Sequence, residues 1–255
     1  MLTIKDIKYI RSLSQKKYRQ KYNIFAIEGE KMILETIFFA PDRLVKLYCL
    51  PEFKDKYLNI LSQIEQKIEI LSPKELKKIS NLKTPNQGLV LVEMEYENLN
   101  KIKNSDFILY LDDIRDPGNM GTIIRTADWF DVDLIVVSDN SVDIYNPKVL
   151  QSSMGSIFRL PIVKMDFQKL LKFTENKNFK FYGMMMSGES IYEIKYDFPI
   201  VVVIGNESNG ISEKIISKLN KNITIPRFNK NTESLNASIA SAIVISEIKR
   251  SKLKS

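Results

Sequence analysis

Three short stretches in the second half of the chain concentrate the residues able to handle charge. The first is Asp112-Asp113-Ile114-Arg115-Asp116-Pro117-Gly118-Asn119-Met120-Gly121-Thr122-Ile123-Ile124-Arg125. Its Pro-Gly-Asn turn leads into a helix predicted over 120–130, where free N–H groups suit an anion. Arg125, one turn in, adds a fixed cation. The second, Gly205-Asn206-Glu207-Ser208-Asn209-Gly210, encloses polar residues between two glycines directly after an apolar run. The third runs from Ile225-Pro226-Arg227 to Glu233-Ser234-Leu235-Asn236-Ala237-Ser238, where Ser234 is a candidate cap for a final helix with Asn236 in its first turn. Each stretch alone reads equally well as a turn or a cap.

The missing residue types narrow the chemistry. The chain has 0 histidines, which removes the commonest general base and the commonest metal ligand together. Its 1 cysteine, Cys49, sits in the apolar run Leu47-Tyr48-Cys49-Leu50 and reads as an inert core thiol, without disulfide or zinc chemistry. A reaction here must use carboxylate, hydroxyl, amide, Lys or Arg groups, or position a substrate that is already activated. No lysine follows the second glycine of the 205–210 stretch, and no G-x-G-x-x-G occurs, so nucleotide-loop fingerprints fail. Asp112 and Asp113 resemble a metal pair but read as loop or helix caps.

The elements that must carry these stretches alternate along the chain. Ile4, Ile7, Ile10 and Leu13 predict a helix, and a second basic helix follows to Tyr22. Strands are predicted at 24–27, 43–50, 68–71 and 88–94, with helices at 30–39 and 52–66 and one opened by Ser72-Pro73-Lys74-Glu75. The polar stretch around Asn98, Asn100 and Asn104 reads as a linker. Beyond it, strands are predicted at 107–111, 134–137, 162–163, 179–186, 200–204 and 223–225. Helices at 120–130, 147–158 and 167–176, one from Ser212 and one over 235–252 separate them. Val/Ile-rich runs without alternation indicate strands buried on both faces, hence a parallel sheet. Such sheets bind ligands beyond their carboxyl ends, which places the chemistry in the loops at 112–121, 205–211 and 226–234. Trp129 and Met184-Met185-Met186 read as packing residues.

A length of 255 residues is comfortable for two cores. The boundaries read as a domain at 1–97, a linker at 98–105 and a second domain at 106–255. Charge divides the same way: 19 Lys and Arg oppose 13 Asp and Glu in residues 1–104, and 19 oppose 18 in residues 105–255. Lys5, Lys8, Arg11, Lys16, Lys17, Arg19, Lys21 and Lys31, interleaved with Tyr9, Tyr18 and Tyr22, suit a phosphate backbone. No apolar run approaches a membrane span, and the first residues hold no apolar signal core, so a cytoplasmic protein is expected.

Taken together and in this order, the three stretches resemble the SpoU (TrmH) family of the SPOUT superfamily of S-adenosylmethionine-dependent RNA methyltransferases. Residues 116–127 look like the family's first motif, Ile204 to Ile211 like its second, and Ile225-Pro226 with Ser234 to Ser238 like its third. Ser153-Met154-Gly155-Ser156-Ile157-Phe158-Arg159-Leu160-Pro161 is similar to a further family segment. Phe25-Ala26-Ile27-Glu28-Gly29-Glu30-Lys31 resembles the family's substrate-binding domain, an L30e-like α/β fold.

The resemblance implies an α/β chain whose C-terminal domain carries a deep trefoil knot, with S-adenosylmethionine held among the knot loops of a homodimer. By position it assigns the cofactor to Gly205, Ile225 and Leu235, and the reacting centre to Asn119, Arg125, Glu207, Ser234 and Asn236. The implied reaction moves the sulfonium methyl to a ribose 2′-hydroxyl of structured RNA, 23S rRNA ahead of tRNA, with no metal. The family assigns activation of the hydroxyl to the motif-one arginine. Because a guanidinium keeps its proton, stabilising the developing alkoxide is the physically easier task. A non-catalytic RNA-binding or ribosome-assembly protein is the alternative, as is a tRNA methyltransferase. Arg227-Phe228-Asn229-Lys230-Asn231 departs from the family's pattern, which often has glycine there.

Overall fold

The computed structural model describes residues 2–95, 102, 104–229 and 231–253. Backbone contacts divide the chain into two compact units, Met1–Tyr96 with Tyr145–Phe158, and Glu97–Ile144 with Arg159–Ser255.

In the first unit a 4-stranded sheet runs β1-β4-β2-β3 among the described residues. The strands are β1 (Ile24–Glu28), β2 (Leu44–Cys49), β3 (Ile68–Ile70) and β4 (Gly88–Glu93). β4 is antiparallel to both β1 and β2, and β2 is parallel to β3. Helix Pro73–Ile79 opens on the expected capping box, in which Ser72 Oγ accepts the Glu75 N–H at 3.3 Å and Glu75 accepts the Ser72 N–H at 3.0 Å. Cys49 is fully buried, and burial pushes its thiol pKa up to about 11, in keeping with an inert core residue.

Two expectations are corrected here. The single helix predicted over 52–66 is broken into Pro51–Lys56, Leu58–Leu61 and a 3₁₀ turn, Ser62–Lys67. Tyr57 leaves helical geometry, with its ring 5.0 Å from that of Phe53 and its hydroxyl donating to Glu30 at 2.5 Å. Arg19, counted among the phosphate-facing cations, is instead 2% exposed and donates to the carbonyls of Leu13 and Ser14, both at 2.8 Å. It thereby satisfies carbonyls at the end of helix Ile4–Ser12, a structural task.

The segment Tyr145–Phe158 belongs with the first unit, although sequence placed all of 106–255 in the second domain. Tyr145 and Phe158 lie 4.6 Å and 6.4 Å from the Phe25 ring. The helix predicted over 147–158 stops at Ser153, because Met154 and Gly155 take φ of 51° and 95°, and a 3₁₀ turn Ser156–Phe158 follows. Residues 98–101 and 103 of the expected linker lie outside the described residues. Ile102 is fully buried in the core of the second unit.

That second unit is built on a parallel sheet ordered β10-β8-β9-β5-β6-β7. Its strands are β5 (Phe107–Leu111), β6 (Leu134–Val137), β7 (Ile162–Lys164), β8 (Lys180–Ser190), β9 (Ile200–Ile204) and β10 (Lys221–Thr224). Every residue of β5, β6 and β9 is buried, as expected for strands covered on both faces. Met184 and Met185 are partly buried, but Met186 is 64% exposed, so only part of the methionine run packs.

The strand order positions the site. From β5 the chain steps outward to β6 and β7, then returns on the other side through β8 to β9, which lies beside β5. Leu111 and Ile204, the last residues of those two strands, are level in register. The loops leaving them therefore start side by side where the winding reverses, the usual ligand position in an open parallel sheet.

Candidate functional site

The helix after β5 begins at Pro117, three residues before the predicted start, with Asp116 as its cap accepting the Asn119 N–H at 2.8 Å. Proline at the first position is preorganised for this role. Arg125 therefore sits in the third turn of Pro117–Trp129 rather than one turn in. Met120, Gly121, Ile123, Ile124 and Ala127 face the core, while Thr122, Arg125 and Trp129 form an exposed stripe. Trp129 is 84% exposed, which corrects its reading as a packing residue.

The loop after β9 is a closed miniature hairpin. Asn206 and Gly210 exchange two backbone hydrogen bonds, both 2.9 Å, and the Asn206 side chain accepts from the N–H groups of Ser208 and Asn209. Its Nδ2 donates to the Asp113 carbonyl at 2.8 Å, tying this loop to the one after β5. Asp112 adds a second tie by accepting the Ser212 N–H at 2.9 Å. Asp113 pairs with Arg115, both of its oxygens at 3.0 Å, and this contact raises the guanidinium pKa above its ordinary value. Both aspartates thus organise loops. Gly205 is required by close approach: a Cβ there would lie 2.3 Å from backbone atoms of Gly210 and Ile211.

The final helix is Ala237–Lys252, and its cap is Asn236, not Ser234. Asn236 Oδ1 accepts from the Ser238 N–H at 2.9 Å, the Ser238 hydroxyl at 2.6 Å and the Ile239 N–H at 3.4 Å. Asparagine is at least as good a cap as serine, and its amide keeps a donor to spare. Ser234 is exposed two residues earlier.

That spare donor joins the three loops. Asn236 Nδ2 donates to Asn119 Oδ1 at 3.0 Å, and Asn119 Nδ2 donates to Glu207 Oε1 at 2.9 Å. The direction of the chain is fixed from both ends. Backbone donors claim the Asn236 oxygen, so its nitrogen must face Asn119, and Asn119 must then turn its own nitrogen to the carboxylate. One side chain from each loop is held in a single polar line at the carboxyl ends of the sheet.

Of the residues expected at the site, Asn119, Glu207 and Asn236 meet directly, and Gly205 shapes the loop that carries Glu207. Arg125 and Ser234 are exposed, and their side chains make no hydrogen bond or ion pair among the described residues. Ile225 is half-buried after β10, and Leu235 is 48% exposed. Sequence reasoning missed Asn206 and Arg115. Asn206 had a readable signal, an amide set between a strand end and a polar turn, whereas nothing local distinguished Arg115.

The polar loops of this parallel α/β unit are joined at its switch point, the place where open parallel sheets usually bind their ligands. Residues 106–246 match the SpoU rRNA Methylase family, and residues 5–90 match the MRM3-like substrate binding domain. The chain belongs to the SpoU rRNA methylase family. It is 30% identical over 242 residues to the 23S rRNA (guanosine(2553)-2′-O)-methyltransferase RlmP of Bacillus subtilis (strain 168), covering 94% of each chain. Among solved structures it is similar to a putative RNA methyltransferase of the TrmH family from Porphyromonas gingivalis, with 30% identity and a TM-score of 0.85 over 98% of this chain and 99% of that one. An AdoMet-bound rRNA methyltransferase from Sinorhizobium meliloti shares the fold at a TM-score of 0.87 and 24% identity, over 98% of this chain and 97% of that one.

Proposed function

We propose that this chain methylates a ribose 2′-hydroxyl of ribosomal RNA, 23S rRNA in particular, using S-adenosylmethionine. The hydrogen-bonded line Asn236, Asn119, Glu207 carries the reading, because it gathers one side chain from each of the three loops where the family's motifs lie. The activity named for the Bacillus subtilis relative supports the substrate class.

The residues present fit the cofactor. Backbone groups of Ser234 and Leu235 have no hydrogen-bond partner among the described residues, and the Leu235 side chain is 48% exposed beside them. That pairing of free backbone donors and acceptors with an apolar face suits a nucleoside. Gly205, Ile225 and Leu235 would hold it. When bound, S-adenosylmethionine supplies a methyl group already activated by a positive sulfur. The chain's own work is then to align the ribose oxygen and to ease loss of its proton, and alignment alone can contribute up to roughly 7–11 kcal/mol. In this reading Arg125 stabilises the alkoxide as it develops, Asn119 and Asn236 hold Glu207 in place, and Ser234 lines the same centre. The Glu207 carboxylate favours a cationic ligand nearby.

Mapping 2′-O-methylation across total RNA, with and without the chain, tests this. One or more ribosomal positions should lose methylation when the chain is absent. Unchanged maps in ribosomal RNA would overturn the substrate, and a change confined to transfer RNA would replace it.

We infer that the working form is a cytoplasmic homodimer built through the second unit. Trp129 at 84% exposure, Ile239 at 52% and Leu235 at 48% lie on or beside the two helices Pro117–Trp129 and Ala237–Lys252, which pack together. Among the described residues no helix is long and apolar enough to cross a membrane. Light scattering at micromolar concentration should give twice the chain mass, and a fully active monomer would refute the assembly.

A further inference from the structure

We propose that the corner formed by helices Ile4–Ser12 and Lys16–Tyr22 docks unpaired RNA nucleotides, with bases stacking on Tyr18 and Tyr22 and phosphates held by Lys16, Lys17 and Lys21. This rests on the RNA-methyltransferase reading and adds to it the surface used and the kind of RNA it takes.

The first support is the concentration of unpaired cations on these two helices. Arg43, Lys46, Lys54 and Lys56 are each ion-paired, with Glu95, Glu69, Glu65 and Glu30. Lys5, Lys8, Arg11, Lys16, Lys17 and Lys21, on the two helices, are exposed and form no ion pair among the described residues. Asp6, the acid on these helices, is taken up by the capping box with Thr3, which accounts for its lowered pKa. Lys31, Lys74, Lys77, Lys78 and Lys83 elsewhere in the unit are also exposed without an ion pair among the described residues, but six such cations with one capped acid fall on this one pair of helices, which gives that face a positive potential suited to phosphate.

The second support is aromatic geometry. Tyr18 and Tyr22 stand four residues apart on one helix face, their rings 6.4 Å apart and within 12° of parallel. Tyr9 packs edge-on against Tyr22 at 4.9 Å and fixes its orientation, while Tyr22 remains 39% exposed. Lys17 Nζ lies 4.8 Å from the Tyr18 ring centre and Lys21 Nζ 5.5 Å from that of Tyr22. Each ring therefore has an ammonium close to it, so one surface offers aromatic groups for bases and cations for the phosphates between them.

The corner is also preorganised. Buried Arg19 ties the second helix to the Leu13 and Ser14 carbonyls at 2.8 Å, and Asn23 ends that helix at φ 55°. A duplex hides its base faces and offers such a surface only phosphates. Unpaired bases can use the rings as well.

The test uses the full chain and two fluorescein-labelled RNAs of equal length, one single-stranded and one a blunt duplex, read by anisotropy. Replacing both rings, Tyr18→Ala with Tyr22→Ala, should weaken single-strand binding on the order of 10-fold or more, since each stacked base contributes about 1–3 kcal/mol. Duplex binding should stay within about twofold of the parent. Tyr18→Leu with Tyr22→Leu, which retains apolar bulk, should give the same pattern, and the two Tyr→Phe changes should restore binding. Lys16→Gln, Lys17→Gln and Lys21→Gln together should weaken both RNAs and reduce the single-strand salt slope by about 2. Unchanged single-strand binding in the Leu pair, or equal losses on both RNAs, would overturn the proposal. Calorimetry with S-adenosylmethionine separates the two readings. Cofactor binding and methyl transfer that persist alongside an inert Tyr pair would sink the docking face alone, and a Tyr effect without cofactor binding would sink the enzyme reading alone.

Discussion

Arg125→Ala is expected to lower methyl transfer on the order of 10²-fold or more while leaving S-adenosylmethionine affinity and stability nearly unchanged. Stability should hold because the Arg125 side chain is exposed and makes no hydrogen bond or ion pair among the described residues, and surface changes of that kind usually stay within about 0.5 kcal/mol. In the proposed role, turnover should fall because a fixed cation beside the acceptor would stabilise negative charge that exists only as the hydroxyl gives up its proton. An interaction confined to the transition state costs rate and not ground-state binding when removed. Losing one such electrostatic stabiliser costs about 10²–10³ in typical cases. Arg125→Lys should recover little, since a point charge does not reproduce the planar fork. Single-turnover transfer of labelled methyl at saturating RNA, beside calorimetry for the cofactor, decides the matter. A near-normal rate refutes the role, and lost cofactor binding moves Arg125 to the donor pocket.

The gap between what sequence disclosed about this site and what the structure adds has physical causes. Apolar runs such as Ile200–Ile204 state their own burial, so the parallel sheet and its loop positions were readable, and all three loops lie where expected. Positions inside the loops depend on competition between similar groups. Ser234 and Asn236 are both good caps, and only the second can cap with its oxygen while its nitrogen reaches Asn119. Asp116 outcompetes later residues as the start of its helix because Pro117 follows it and is preorganised for the first helical position. Arg19 looked like its basic neighbours until the fold turned it inward to the carbonyls of Leu13 and Ser14. The segment Tyr145–Phe158 carries no local mark of its association with Phe25, because that pairing spans more than a hundred residues of chain. The break at Tyr57 is of the same kind, since a contact with Glu30 overrides helix propensity.

Gly205→Ala should be the most damaging single-methyl change in the second unit's loops. Its Cβ would lie 2.3 Å from the Gly210 carbonyl carbon and the Ile211 nitrogen, and 2.5 Å from the Gly210 oxygen. Those are backbone atoms, so no side-chain rotation relieves the overlap. The hairpin must open, which breaks the two 2.9 Å bonds between Asn206 and Gly210 and releases Glu207 from its 2.9 Å bond to Asn119. A displacement of about 1 Å at a reacting centre is enough for a loss on the order of 10²-fold. Cofactor affinity should fall as well, since the same turn is assigned to the donor. Gly210→Asn provides the contrast. Gly210 has φ 68° with nothing within 4 Å of a built Cβ, and asparagine tolerates the left-handed region, so this change should cost less than about 1 kcal/mol and retain most activity. Calorimetric titration with S-adenosylmethionine and a thermal melt of each variant would separate the two effects. Cofactor binding by Gly205→Ala equal to that of the parent would show that the close approach at Gly205 only shapes the loop and that the donor is held elsewhere.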